Sequence, residues 1–122
     1  MTEELGKKLV GDSWYGRLKE TLHSPEFASL GKFLSSERLN HTIYPKTNDV
    51  FKAFIETPFD EVRVIIIGQD PYHGENQATG LAFANPDKQL IPQPSLKYIL
   101  NEVESDIYGG FNFEFPSFTL EP

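Results

Sequence analysis

A short apolar run, Val62–Ile67, lies near the middle of the chain and stops at Gly68, where a compact group of polar residues begins. Five of its six residues are β-branched, and the run is too short to form a membrane-spanning helix. Such continuity is typical of a strand covered on both faces, as in a parallel sheet. We therefore predict an α/β fold with this strand at the centre of a parallel sheet.

Apolar residues that precede the run recur at helical spacing. Trp14, Leu18 and Leu22 recur at steps of four, which predicts a packing helix that begins near Asp12 or Ser13. A second helix is predicted to begin after Ser24, with proline at its first position. Its expected inward residues are Phe27, Leu30, Phe33 and Leu34.

Two further helices are predicted on either side of the apolar run and its polar cluster. One is short, starts at Asn48 or Asp49, and ends before Pro58. The other follows a proline-rich loop that ends at Ser95. Their expected inward residues are Val50, Phe51, Phe54 and Ile55 in the first, and Leu96, Ile99, Leu100 and Val103 in the second.

Composition narrows the class of protein. A length of 122 residues predicts one domain over 1–122, with 1–11 as a flexible arm or a loose amphipathic turn. The absence of cysteine excludes disulfides, thiolate metal ligands and a cysteine nucleophile. A net charge of −7 argues against a broadly basic surface for nucleic acid, so any phosphate must be held locally.

The N-terminus is acidic and lacks the basic-then-apolar order of a signal peptide. No apolar run approaches the roughly 20 residues needed to cross a bilayer. We therefore expect a cytoplasmic protein, or a nuclear one if the source is a eukaryote, and no membrane partner.

The polar cluster after the run, Gln69–His73, is the first candidate site. Asp70 precedes a proline that favours an extended backbone, and its carboxylate can act as a base, orient water or stabilise a cationic transition state. It can equally be a carboxylate that caps a loop. Asp70 and His73 could share a metal, but a third ligand is missing from the pattern. Tyr72 offers a flat wall and Gln69 an amide that can bind a polar ring edge.

The second candidate site is Pro92-Gln93-Pro94-Ser95, which leads into a helix. The first turn of a helix has unpaired N–H groups and a positive dipole end, so the Ser95 hydroxyl and the following amides could hold a phosphate. The alternative is that Ser95 is only an N-cap after a rigid loop.

Together these motifs resemble family 1 uracil-DNA glycosylases. The heptapeptide Gly68–Gly74 resembles the water-activating loop of that family, and the resemblance extends from about Trp14 to Phe111. The further matching motifs, in the same order, are Thr42–Pro45, Asp49–Phe54, Gly80–Phe83 and Ile91–Leu96.

The resemblance implies a role for each matching residue. Asp70 would orient water and stabilise an oxocarbenium-like sugar, with His73 supporting the loop and a nearby phosphate. Tyr72 would exclude the 5-methyl group of thymine, Phe83 would stack on a flipped-out uracil, and Gln69 would contact the uracil edge. The residues that would grip the DNA backbone are Pro92, Pro94 and Ser95.

The implied function is hydrolysis of the N-glycosidic bond of uracil in DNA, the first step of base excision repair, with no cofactor and no metal. The implied fold is a three-layer, parallel-sheet domain of which this chain would be a truncated, N-terminal portion, because the family's later catalytic motifs are absent. The expected partners are uracil-containing DNA, an inhibitor protein or the missing C-terminal half. The alternative is a non-catalytic fragment or binding module that keeps the DNA clamp or acts through a protein partner.

Overall fold

The computed structural model describes residues 1–86 and 93–109. Within these ranges the regular structure is helical. The α-helices are α1 (Glu3–Val10), α2 (Asp12–Leu22), α3 (Pro25–Asn40), α4 (Lys52–Glu56) and α5 (Pro94–Tyr108), and 3₁₀ turns occupy Thr47–Asp49 and Phe59–Glu61. No helix in the described ranges is both long enough and apolar enough to cross a bilayer.

Local chemistry explains where the first helices begin. The Thr2 hydroxyl accepts a hydrogen bond from the Leu5 amide at 3.3 Å, and the Ser24 hydroxyl accepts one from the Phe27 amide at 3.1 Å. Each bond pairs an N–H group that the first turn of a helix leaves open. Gly11 separates α1 from α2 with φ of +78°, a conformation that favours glycine. Residues 3–10, which we expected to be an arm or a loose turn, form α1.

The hydrophobic core lies where α1, α2 and α4 meet. Val10, Tyr15 and Leu22 are buried at its centre. Gly6 allows α1 to approach α2 closely, because a Cβ atom at this position would overlap the ring of Tyr15. The partly buried residues around this centre are Leu9, Trp14, Leu18, Phe27, Phe51 and Phe54.

Helix α2 also anchors the chain just before the apolar run. The indole Nε1 of Trp14 donates to the Thr57 carbonyl oxygen at 2.8 Å, and the amide of Phe59 donates to the Ser13 hydroxyl at 3.0 Å. The Arg17 guanidinium lies 3.9 Å from the centre of the Phe59 ring. Side chains of α2 therefore fix the point from which the apolar run leaves the core.

The prediction of a parallel-sheet α/β fold is wrong for the described part of the chain, which contains no strand or sheet. The run from Val64 to Ile67 is instead exposed, with relative exposures of 77, 68, 64 and 89%. A strand exists only through hydrogen bonds to a neighbouring strand, and no described segment provides one for these residues. The sequence pattern fits a covered strand, but the described residues contain no neighbouring strand that could pair with it.

Two predicted inward faces are also only partly buried. In α3, Leu30 and Phe33 are 51 and 59% exposed, whereas Phe27 is half-buried beside the core. In α4 and the turn before it, Val50 and Ile55 are exposed. Helix α3 has little amphipathic character over its whole length and contains no buried residue. The described residues therefore supply no surface that covers these side chains.

The last helix agrees better with its pattern, because Leu96 and Leu100 are buried, although Ile99 is 40% exposed. Helix α5 begins at Pro94 with Gln93 as its N-cap, so Ser95 lies within the first turn. Of the predicted site residues, Pro92 lies outside the described residues.

Candidate active site

One cavity of about 650 Å³ lies next to the end of the apolar run. Two stretches of chain supply most of its lining, 68–72 and 78–83. The remaining lining residues are Pro45, Val50 and Ser95. Segments that are far apart in the sequence therefore meet around one space of a size suited to a small molecule or a nucleobase.

The first stretch carries the polar residues that follow the apolar run. Asp70 is exposed at the cavity, and the side-chain amide of Gln69 donates a hydrogen bond to its Oδ2 atom at 3.2 Å. This bond orients the carboxylate while leaving its other oxygen able to accept a proton or a hydrogen bond. The pair can therefore present a negative charge and an amide within one site.

Tyr72 differs from its exposed neighbours because its hydroxyl is buried. No hydrogen-bond partner for that hydroxyl occurs among the described residues. Burial raises the pKa of Tyr72 above its ordinary value, because a phenolate would lose its solvation there. At neutral pH the uncharged Tyr72 side chain therefore forms a wall of the cavity, and its hydroxyl donates to no described residue.

The second stretch is held against the turn at Thr47–Asp49. Gly80 has φ of +84°, and a Cβ atom on it would overlap the carbonyl oxygen of Asp49. Only glycine combines this conformation with such a close approach. The backbone contact at Gly80 therefore fixes the position of the second stretch relative to the chain around Asp49.

Phe83 ends this second stretch and has φ of +63°. A positive φ is uncommon for an aromatic residue, and such a conformation costs of order 1–3 kcal/mol. Its half-buried side chain lines the cavity. A residue in a sparsely populated conformation at a cavity is a candidate for a functional constraint.

The structure brings together five of the predicted site residues around this cavity: Gln69, Asp70, Tyr72, Phe83 and Ser95. His73 and Pro94 are exposed and do not line it, and Pro92 lies outside the described residues. The roles assigned to all eight stay predictions. Among the described residues there is no group of three or more histidine, cysteine, aspartate or glutamate side chains that could hold a metal.

Sequence reasoning missed the position of Val50, which was expected in the core and instead lines the cavity. It also missed Asn85, which does not line the cavity. The side-chain oxygen of Asn85 is buried without a hydrogen-bond partner in the described structure, although its sequence context indicated only a turn before proline. No signal in the sequence distinguishes such an asparagine, because its burial depends on how distant segments pack.

No protein-family model matches the chain. Curated proteins do match it, and those compared here are named uracil-DNA glycosylase. A relative from Chlamydia muridarum is 50% identical over 107 residues, which are 88% of this chain and 46% of the relative. Relatives from Bacillus licheniformis and Bacillus subtilis are 42 and 45% identical over 101 residues, 83% of this chain and 44% of each relative. The chain thus spans less than half the length of these relatives and matches their N-terminal portion.

Proposed function

Because the chain is homologous to the N-terminal portion of uracil-DNA glycosylases, we propose that its cavity binds uracil flipped out of DNA for hydrolysis of the N-glycosidic bond. The observation that carries this proposal is the convergence of Asp70, Tyr72 and Phe83 on one cavity. Extrusion of a base into such a pocket costs a few kcal/mol, which contacts with the base and the DNA backbone must offset. The proposed process is base excision repair, and we expect it to occur in the cytoplasm.

In the proposed reaction, Asp70 orients a water molecule toward the sugar. The bond between the sugar C1′ and the uracil N1 breaks, and the uracil leaves as an anion with the bonding electrons. The water oxygen bonds to C1′ and gives a proton to the Asp70 carboxylate, and the uracil anion takes up a proton from solvent. The carboxylate stabilises the positive charge that develops on the sugar. The Gln69 amide nitrogen lies 3.2 Å from Asp70 Oδ2, and in this proposal it would donate to a uracil oxygen or keep the carboxylate in position.

The cavity walls would provide base selection and DNA contact. Phe83 would stack on the uracil ring, and Tyr72 would exclude the additional methyl group of thymine. Ser95, in the first turn of α5, would bind a phosphate together with Pro92 and Pro94. His73 would act from the exposed side of the loop, where it could contact a backbone phosphate.

A polypeptide partner is part of the proposal. The apolar run at Val64–Ile67 is exposed and leads directly into the cavity stretch at Gly68. Relatives are more than twice as long as the matched region, so they contain further chain that could cover this run. We propose that polypeptide equivalent to their C-terminal portion packs on Val64–Ile67 and completes the site. An inhibitor protein stays a prediction without a surface assigned to it.

The test is release of free uracil from single-stranded, uracil-containing DNA. It is measured for the chain alone and mixed with the C-terminal portion of the Bacillus subtilis relative. We expect the added portion to increase the rate, and Asp70→Asn to lower the stimulated rate about 100-fold or more, as for loss of a general base. Asp106→Asn is the matched control, because it removes the same charge from an exposed position on α5.

Three further results would decide between the parts of this proposal. Ile66→Asp should abolish the stimulation, because it puts a charge into the surface that would be covered. Equal rates for wild type and Asp70→Asn would remove the catalytic role. DNA binding without any uracil release in either arm would instead favour the alternative of a non-catalytic binding module.

A further inference from the structure

Arg38 links α3 to the loop that forms one side of the cavity. Its Nη1 atom donates to the carbonyl oxygen of Ile43 at 2.9 Å, and its Nη2 atom donates to that of Pro45 at 3.0 Å. Both bonds are partly buried. A guanidinium is planar and presents its donors in a fixed fork, so the two bonds together fix the direction as well as the distance of the loop.

These contacts differ from ordinary capping of a helix end. A cation near the C-terminus of a helix usually binds that helix's own last carbonyl groups. Arg38 lies two residues before the end of α3, yet its two bonds reach Ile43 and Pro45, beyond the helix. The guanidinium therefore restrains the loop after α3.

The restrained loop continues into the structure that supports the cavity. Pro45 lines the cavity itself. The next residue, Lys46, accepts a hydrogen bond from the Asp49 amide at 2.9 Å, and the Asp49 carbonyl is the group that Gly80 approaches closely. A displacement of Pro45 would thus be transmitted through the turn at Thr47–Asp49 to the second cavity stretch, 78–83.

We propose that Arg38 is a positioning residue of the cavity, which holds Pro45 and, through Asp49, the Gly80 loop at the spacing that a pyrimidine ring requires. The role in base selection rests on the proposed function. Arg38 touches no substrate in this proposal. It acts through the Ile43–Pro45 backbone. A lysine at this position would donate from a single nitrogen on a flexible stem, so it would lack the planar fork that fixes both carbonyl groups in direction.

The test compares Arg38→Met and Arg38→Lys with wild type. Lys32→Gln serves as the matched control, because it removes a positive charge from an exposed position on the same helix. Hydrogen–deuterium exchange is measured at residues 42–50 and in α2, which reports whether the core is still folded. Affinity is measured by fluorescence anisotropy in the presence of the C-terminal portion of the Bacillus subtilis relative, for a single-stranded oligonucleotide with one uracil and for the same oligonucleotide with thymine.

In Arg38→Met we expect faster exchange at residues 42–50, unchanged exchange in α2, and a uracil-to-thymine affinity ratio reduced about tenfold, in line with loss of charge-assisted hydrogen bonds. Affinity for the thymine oligonucleotide should stay the same. Arg38→Lys should be intermediate, and Lys32→Gln should match wild type.

Equal weakening toward both oligonucleotides, or unchanged exchange at 42–50, would overturn the positioning role. If wild type itself shows no preference for uracil, the proposed function fails. In that case the exchange data alone decide whether Arg38 fixes the loop.

Discussion

At the scale of single residues, Tyr72 lines the cavity but also buries a polar hydroxyl group. Its hydroxyl is buried and has no hydrogen-bond partner among the described residues. A buried, unpaired polar group costs about 1–3 kcal/mol of stability. Tyr72 lines the cavity, which is where a functional requirement would outweigh stability.

We expect Tyr72→Phe to raise the free energy of unfolding by about 1 kcal/mol, because it removes the unpaired hydroxyl and keeps the ring. Chemical denaturation at neutral pH measures this change. Tyr98→Phe is the control, since Tyr98 is 73% exposed and its substitution should change stability by less than about 0.5 kcal/mol. A clear loss of stability in Tyr72→Phe would show that the hydroxyl has a partner.

Tyr72 also makes the free energy of unfolding depend on pH in the alkaline range. Burial raises the pKa of Tyr72 above 10.0, so between its unfolded and folded pKa values the folded protein keeps a proton that the unfolded chain has lost. The free energy of unfolding therefore keeps its full value below about pH 10, and it falls as the pH rises through the folded pKa of Tyr72. Tyr72→Phe should make the decline in stability above pH 10 less steep.

The family resemblance, through its distinctive motifs, implied that Asp70, Tyr72 and Phe83 belong to one site. It gave no role to Arg38 and did not predict the backbone contact at Gly80. The contribution of Arg38 depends on two carbonyl groups that come close only when the chain turns after α3. That of Gly80 depends on the approach of Asp49, more than 30 residues earlier in the chain.

At the scale of elements, the packing of α1 on α2 depends on the absence of a side chain at Gly6. A methyl group there would overlap the Tyr15 ring, which lies in the core. The general preference of helices for alanine over glycine is about 1 kcal/mol, and overpacking a core typically costs about 1–3 kcal/mol. At position 6, the destabilisation from overlap with the Tyr15 ring should therefore exceed the stabilisation that alanine gives through its helix propensity.

We expect Gly6→Ala to lower the melting temperature. Gly16→Ala in α2 is the matched control, because no atom lies within 4 Å of a Cβ placed there. The control should be more stable than wild type by about 0.5–1 kcal/mol, since alanine restricts the unfolded chain and favours a helix. If both substitutions stabilise the protein, the close contact between α1 and Tyr15 does not exist in solution.

The elements differ in how far the sequence could predict them. Capping residues and periodicity located α2 and α3, because a helix satisfies its hydrogen bonds within its own segment. The run Val62–Ile67 had an equally clear pattern, but a strand depends on neighbours that the pattern does not contain. The prediction of a parallel sheet was wrong for this reason, and the run is exposed in the described structure.

At the scale of the whole molecule, the buried core of the described residues is small and the apolar run near the middle of the chain is exposed. The buried centre consists of Val10, Tyr15 and Leu22, whereas the run Val64–Ile67 lies outside it. With a net charge of −7, the chain also lacks the general attraction to DNA that a basic surface would provide. Under the proposed function, recognition of DNA would therefore depend on local contacts at the cavity and at the start of α5.

The proposed function requires that the cavity formed by 68–72 and 78–83 binds uracil. This is tested by titrating the isotopically labelled chain with free uracil, in the presence of the unlabelled C-terminal portion of the Bacillus subtilis relative, and following amide chemical shifts in NMR spectra. We expect saturable shifts that cluster at Gln69–Tyr72 and Thr79–Phe83, with thymine producing much smaller changes at the same concentrations. Shifts scattered over the surface, or equal responses to uracil and thymine, would rule out a uracil-binding cavity.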